Sequence, residues 1–485
     1  MKISSMHKVV WNIVWVLMAG IVACSTPQRH PNLAGLYNDL AQHEDSNRNP
    51  IIVIPGLMGS RLIEGESGKV VWGAFGLGQV NPNTAEGARL IALPMQPKTA
   101  LRAAHDSVVP DGALDRYVVN FIGFPMELNA YYNILSALGV GGYRDKGLSQ
   151  AGVVDYGDRH FTCFQFDYDW RRDIVENAQA LDRFIQDKTN YVKTEIKRRY
   201  GIDKSSIRFD IVAHSMGGLV ARYYLRYGGN DLPSDGHVPA PNWEGAKHIE
   251  NLIMIGTPNG GSLESLVHLI EGYRPSFLLA RYPPAVLGTF PSLYQMLPRG
   301  RHNALLDTAG QPIEDLFDPK LWERQKWGLA DPGETNDIRH LLPQVDNETE
   351  RRRIALDYQE KVLKRANHFT KAIDLPAKPP GSVRLMIVAG DAVPTEQTAR
   401  IKKPGGRLEI VADGPGDGVV LRRSALMDER RGDSAFSRLT SPISWDQTLF
   451  LFSDHIGLTK DPAFTDNILH FLLEHPRPED PSLPD

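Results

Sequence analysis

Ser215 stands at the junction of two patterns in Phe209-Asp210-Ile211-Val212-Ala213-His214-Ser215-Met216-Gly217-Gly218-Leu219-Val220. Ile211-Val212-Ala213 has the length and composition of a buried strand, and Leu219, Val220 and Tyr223 are spaced for one face of a helix. A strand that turns into a helix within three residues forces the turn residue into a strained conformation, which only small neighbours tolerate. Ala213 two residues before the serine and Gly217 two after it meet that need, giving G-x-S-x-G with alanine for the first glycine. Such an elbow lifts a serine hydroxyl clear of the sheet and sets a helix N-terminus beside it, where developing negative charge is favoured. The chemistry is nucleophilic attack by Ser215.

A serine hydroxyl in water is a poor nucleophile. It needs a neighbouring base, and the base needs an acid to hold its tautomer. After an elbow serine the expected chain order is acid, then histidine. Leu449 to Phe452 reads as a last strand, and Ser453-Asp454-His455-Ile456-Gly457 as the loop behind it, so His455 is the candidate base. His470 falls inside the terminal helical pattern with Ile468, Phe471 and Leu472, and His475 near its end; His214, beside the serine, reads as structural. Asp391, Asp413 and Asp417 all follow late strands and are the candidate acids. The tetrahedral intermediate also needs two N–H donors, one from the residue after the nucleophile and one from an early strand-to-loop junction. These are assigned to Met216 and Leu57, since Ile51 to Ile54 is a β-branched run stopped by Pro55-Gly56.

The elements that must position these groups alternate in a regular way. Phe161 to Phe166 reads as a strand, and Ile174, Ala178, Leu181, Ile185, Val192 and Ile196 recur at helical spacing after it. The elbow strand and helix follow, then Leu252 to Ile255. That order argues a doubly wound, mostly parallel sheet of the α/β class. The sheet is expected to resume with Val383 to Ala389 and with Leu408 to Ala412. From Ser262 to about Ala377 the alternation stops; short helices and a stripe of Ile354, Tyr358, Val362, Ala366, Phe369 and Ile373 read as an inserted cap. Cys163 lies within a strand pattern and reads as a small buried hydrophobe.

Five stretches carry a resemblance. Pro50-Ile51-Ile52-Val53-Ile54-Pro55-Gly56-Leu57-Met58-Gly59-Ser60-Arg61-Leu62 resembles the opening motif of the lecithin:cholesterol acyltransferase family, which also includes lysosomal phospholipases and diacylglycerol acyltransferases. Tyr168-Asp169-Trp170-Arg171, Gly256-Thr257-Pro258-Asn259-Gly260-Gly261-Ser262, Phe290 to Pro298, and Gly416-Asp417-Gly418-Val419-Val420-Leu421-Arg422 look like further family motifs, so the likeness runs from about Pro50 to Leu473. The resemblance implies an α/β-hydrolase fold with an inserted helical cap and a lid, and makes Asp417 the leading acid. It implies serine-dependent hydrolysis or O-acyl transfer on an ester-linked acyl lipid through an acyl-enzyme. It also puts a lid and a membrane-touching loop in residues 65–120, a Gly-, Pro- and Asn-bearing stretch without clear periodicity. Trp72 and Tyr168 are the candidate substrate contacts. The alternative for Trp72 is inward packing. For Tyr168, with Asp169 and Arg171, it is bracing of loops through buried hydrogen bonds, the reading favoured for that trio.

The division expected is a signal segment over 1–23, a tether over 24–48, hydrolase core over 49–262, cap over 263–381 and the rest of the core over 382–485. Lys2 and Lys8 precede an apolar run from Val9 to Ala23, a secretory pattern too short to read as a spanning helix. Its end, Ile21-Val22-Ala23-Cys24, resembles a bacterial lipobox, which implies lipidation of Cys24; Ser25 after it suggests the outer membrane, facing the periplasm. Of 485 residues, 42% are hydrophobic and 23% charged, an ordinary globular balance, and a net charge of -4 gives no basic footprint for nucleic acid. Two cysteines leave no disulfide framework, and the histidines show no H-E-x-x-H or C-x-x-C spacing, so no metal or cofactor is expected. The rival from another class is a non-catalytic, envelope-anchored binding protein on the same fold; a peptidase with the same triad is a third option.

Overall fold

The structure is a computed structural model. It describes residues 38–474 apart from 43–44, 75–79, 98, 115–116, 122–123, 129–130, 146–159, 275–279, 404–405 and 431–437. The signal segment, Cys24 and His475 lie outside the described residues.

Six strands make the central sheet: β1 Ile51–Ile54, β2 Cys163–Gln165, β3 Phe209–His214, β4 Ile249–Ile255, β5 Arg384–Gly390 and β6 Gln447–Leu451. Their order across the sheet is β6-β5-β4-β3-β1-β2, and every neighbouring pair is parallel. The apolar runs are continuous because both faces are covered. Ile52, Ile54, Ile211, Leu252, Met254 and Ile387 enter one core, while Ile51, Val53, Val212, Ile253, Met386 and Val388 enter the other.

Helices cover the two faces unequally. On the smaller face lie α1 Tyr132–Val140, through Ile134, Leu135 and Leu138, and the C-terminal helix through Phe464 and Ile468. The larger face carries α2 Ile174–Tyr200 and α3 Met216–Tyr227, the elbow helix. Past β4 come α4 Leu263–Glu271, several short helices, and α5 Glu348–Asp374. The expected stripe on α5 is buried from Ile354 to Ile373 and merges with the main core. Two buried arginines on α3 fix the end of α5 to it: Arg222 and Arg226 both donate to the Ile373 carbonyl.

Two expectations change. Leu408 to Ala412 does not join the central sheet. It belongs to Leu408–Gly416, antiparallel to Val393–Ile401 in a separate three-stranded sheet with Leu305–Leu306. Residues 409–413 are half-buried to exposed, so this strand lacks the two covered faces a central strand requires. The aperiodic stretch 65–120 also has regular structure. Val70–Trp72 and Val108–Ala113 pair with Ser60–Glu64 in an antiparallel sheet, and Ala85–Ile91 is a helix capped by Thr84. Its strands are short and bulged, which hid their alternation.

This insertion is tied to the core by buried charge. Arg171, fully buried, pairs with Asp169 at 2.7 Å and with Asp106 of the insertion at 2.8 Å, and donates to the Ile91 carbonyl at 2.9 Å. Arg172 adds a second bond to Asp106 at 2.8 Å. Bracing, the reading favoured for this trio, is what the geometry gives. Because removing one partner strands the other charge in a dry site, Arg171→Met is expected to lower stability by about 3–5 kcal/mol. Urea unfolding followed by tryptophan fluorescence measures it; a loss within 1 kcal/mol, roughly what a surface ion pair is worth, would show that the network holds nothing together.

Candidate active site

The elbow forms as the spacing predicts. β3 ends at His214, α3 begins at Met216, and Ser215 between them holds φ 53 and ψ -127, a conformation costly for a residue with a Cβ. Its own amide donates to the Ile255 carbonyl at 2.7 Å, which locks the turn to β4. The side chain is neither buried nor fully exposed.

His455 arrives from the loop after β6. Its Nδ1–H donates to Asp417 Oδ2 at 2.8 Å, which leaves Nε2 to accept the Ser215 hydroxyl at 3.0 Å. Asp417 follows the second sheet rather than a central strand, yet it reaches the sheet edge: it bridges to Val393, just past β5. Its Oδ1 accepts the amides of Val420 at 2.7 Å and Val419 at 3.0 Å, so both carboxylate oxygens are occupied. Of the other candidate acids, Asp413 is exposed, and the structure places neither it nor Asp391 against His455. His470 is exposed on the terminal helical turn.

Electrostatics follow from this geometry. Burial alone would push the Asp417 carboxyl up; the charge and hydrogen bond of His455 and the two backbone amides outweigh it and hold the group below its ordinary value. Burial alone would push His455 down; the Asp417 charge and hydrogen bond, with smaller help from Glu264 and Asp454, raise it instead. For His214 burial first, then the charge of His455, outweigh the help of its bond to the His455 backbone and of the Asp417 charge, and lower its pKa to about 3.

Close packing brings the expected oxyanion loop to the serine. A Cβ at Gly56 would meet the Ser215 Cβ at 2.7 Å and Oγ at 3.3 Å, so the segment before Leu57 lies directly against Ser215. At Gly256, whose φ is +55, a Cβ would meet His455 Cε1 at 2.9 Å and Nδ1 at 3.0 Å. The N–H groups of Leu57 and Met216 have no acceptor among the described residues.

Trp72 and Tyr168 are placed differently from the other candidates. Trp72 is buried, donates its Nε1–H to the Met58 carbonyl at 2.7 Å and meets Trp170 and Tyr282 edge to face. Tyr168 is 1% exposed and its hydroxyl donates to the Pro55 carbonyl at 2.8 Å. Both brace the loop from Pro55 to Ser60. Sequence reasoning missed Glu264 on α4. Burial raises its carboxyl to about 7, with the charges of His455, Glu396 and Asp417 all felt there, and it faces His268 at 3.4 Å. The only signal was an acid and a histidine four residues apart just past Gly260-Gly261-Ser262. Among the described residues no cluster of His, Cys, Asp and Glu forms a metal site.

Residues 151–349 match the lecithin:cholesterol acyltransferase family. The resemblance carried by the motifs is thereby shown for that part of the chain. No curated protein matches the chain by sequence. Among solved structures, the Tle4-Tli4 complex has a chain 14% identical to this one, with 88% of this chain and 98% of that chain covered at a TM-score of 0.54. The Bacillus licheniformis lipase BlEst2 in its propeptide form is 10% identical, with 91% and 54% covered at a TM-score of 0.32. The mostly parallel sheet with helices on both faces is an α/β-hydrolase fold. Fold and family match together support an acyl-ester hydrolase or acyltransferase.

A base must be neutral to take a proton, so a raised His455 pKa sets the acid limb of turnover above the usual histidine value of about 6.5. Asp417→Asn removes the largest group holding the imidazolium. The limb should then move to lower pH while the rate at neutral pH falls roughly 10³–10⁴-fold, because the tautomer is no longer held. A pH–rate profile on a p-nitrophenyl ester checks both; an unmoved limb would mean that another group sets the pKa.

Proposed function

We propose that this protein is a serine-dependent lipid acyl hydrolase or O-acyltransferase working through Ser215, His455 and Asp417. The observation that carries the reading is the unbroken hydrogen-bonded line from Asp417 Oδ2 through His455 to Ser215 Oγ, at 2.8 and 3.0 Å. His455 takes the hydroxyl proton as Ser215 Oγ bonds to the ester carbonyl carbon. The carbonyl electron pair moves to oxygen, which the Leu57 and Met216 amides receive. Collapse of this intermediate breaks the ester C–O bond, and the His455 proton goes to the departing alcohol, leaving an acyl-enzyme. Water or a second alcohol then attacks with His455 again as base, which regenerates Ser215 and releases a fatty acid or a new ester. Asp417 stays ionised throughout and holds the imidazole's orientation.

The family match supports the substrate class, since the matched family is named for lecithin and cholesterol acyl transfer. Membrane anchorage through a lipidated Cys24 in the outer membrane, facing the periplasm, belongs to the same reading and rests on the lipobox-like sequence. Among the described residues no helix is long and apolar enough to cross a membrane.

Incubation with phosphatidylcholine vesicles, with and without a long-chain alcohol, followed by mass spectrometry, separates the branches. Fatty acid alone identifies a hydrolase, and alcohol ester in excess of fatty acid a transferase. Ser215→Ala is expected to abolish both products; retained turnover would remove Ser215 as nucleophile. Absence of product from vesicles and from a short-chain ester panel would favour the non-catalytic scaffold. Cys24→Ser is expected to release the protein from the membrane fraction, and a variant still bound there would sink the lipid anchor.

A further inference from the structure

Two side chains outside the Ser215–His455–Asp417 line join the loops on either side of it. Tyr131, the residue before α1, is 4% exposed, and its hydroxyl accepts the Gly56 N–H at 2.8 Å. That oxygen is nested in the turn of the same loop: a Cβ at Gly59 would meet it at 2.6 Å, and the Gly59 amide closes the turn on the Gly56 carbonyl at 3.1 Å. Burial raises the phenol to about 12, so it remains a neutral hydroxyl with a lone pair for the amide. On its other side the Tyr131 ring meets the His214 ring edge to face, 5.6 Å between centroids at 71°. His214 in turn lies 4.8 Å from the His455 ring and donates Nε2–H to the His455 backbone carbonyl at 3.1 Å.

The tautomer of His214 is fixed by its partner. A carbonyl accepts only, so Nε2 carries the proton; Nδ1 is buried with no partner among the described residues. Burial makes the ring a weak proton acceptor. His214 therefore cannot compete with His455 for the serine proton, although it is the nearer histidine in sequence. Its hydrogen bond goes to the backbone that carries the base, and Tyr131's goes to the backbone one residue before the Leu57 donor.

We propose that Tyr131 and His214 are positioning residues that act as one clamp, fixing the base loop and the oxyanion loop relative to each other around Ser215. This rests on the reading of Ser215 and His455 as nucleophile and base. The clamp lies on the face packed by α1, where Tyr131 shares a core with Ile134, Leu135 and Val212. It makes both reactive partners of the serine dependent on the seating of that helix. Reacting groups displaced by about 1 Å lose on the order of 100-fold in rate, so the clamp acts on kcat and leaves substrate binding alone.

The test uses the purified protein and three single variants, His214→Phe, His214→Gln and Tyr131→Phe, beside Ser215→Ala. Two rates are read: covalent labelling by a fluorophosphonate, which reports activation of the serine without turnover, and hydrolysis of p-nitrophenyl butyrate. His214→Phe keeps a ring and loses the donor. It is expected to slow labelling and kcat by roughly ten- to a hundredfold with KM changed less than about threefold. His214→Gln, whose amide N–H reaches the same carbonyl, should recover both to within about threefold of the parent protein. Tyr131→Phe removes a single oxygen atom, so it folds even where the histidine variants do not; it should lower kcat about fivefold or more at constant KM. Combined with His214→Phe, its effect should fall short of the product of the two singles. The proposal is overturned by a His214→Phe or Tyr131→Phe protein that labels and turns over like the parent. It is equally overturned by a glutamine no better than phenylalanine, or by fully multiplicative effects in the double variant. Labelling that survives Ser215→Ala would instead overturn the nucleophile on which the clamp depends.

Discussion

Ser215 holds a backbone conformation that its own side chain resists, and the surrounding chain is arranged to keep it there. The turn is pinned to β4 through the Ile255 carbonyl and pressed from below by Gly56. A strained residue persists only when its neighbours over-determine it. Here they include β1, β3, β4 and the first turn of α3, the centre of the parallel sheet. The continuous burial of these strands and the exposure of one hydroxyl are therefore parts of one arrangement: the sheet must be rigid for the serine to stay raised.

The polar groups around the serine divide by what they bond. Asp417 and His455 bond each other and the serine, and each shifts its pKa to suit transfer of a proton. Trp72, Tyr168 and Tyr131 bond the backbone of the loop from Pro55 to Ser60, and His214 bonds the backbone carbonyl of His455. Both sets are buried; in the first each partner favours the other's charged form, whereas burial keeps Tyr168, Tyr131 and His214 neutral. The same separation explains why His214, one residue from Ser215, bonds a backbone carbonyl while His455, 240 residues away, meets the Ser215 hydroxyl.

Much of this was legible in the sequence where burial leaves a local pattern. The elbow, the strands β1 to β5 and the long helices read correctly because a strand covered on both faces is apolar throughout. His455 was legible because a final apolar strand marks the loop behind it. Asp417 was not, on local grounds: an aspartate between glycines is a turn anywhere, and only family likeness separated it from Asp391 and Asp413. The strand Leu408–Gly416 that delivers it runs with residues 409–413 half-buried to exposed and resembles no core element. Trp72 looked like a substrate contact because an indole in an aperiodic stretch invites that reading; its partner, the Met58 carbonyl, leaves no mark on composition. Tyr131 drew no attention for the same reason, since its bond reaches Gly56 across 75 residues.

The order of the strands in the chain has a consequence for when the molecule becomes reactive. The serine is complete once β3 and β4 have paired, whereas the base enters with β6, an edge strand and the last to leave the ribosome. Until Gln447–Leu451 adds to β5, Ser215 lacks the imidazole that takes its proton in the proposed reaction. Pairing of distant parallel strands is slow relative to local helix formation. On the proposed roles of Ser215 and His455, the topology alone keeps the chain unreactive until its C-terminal strand has docked on β5.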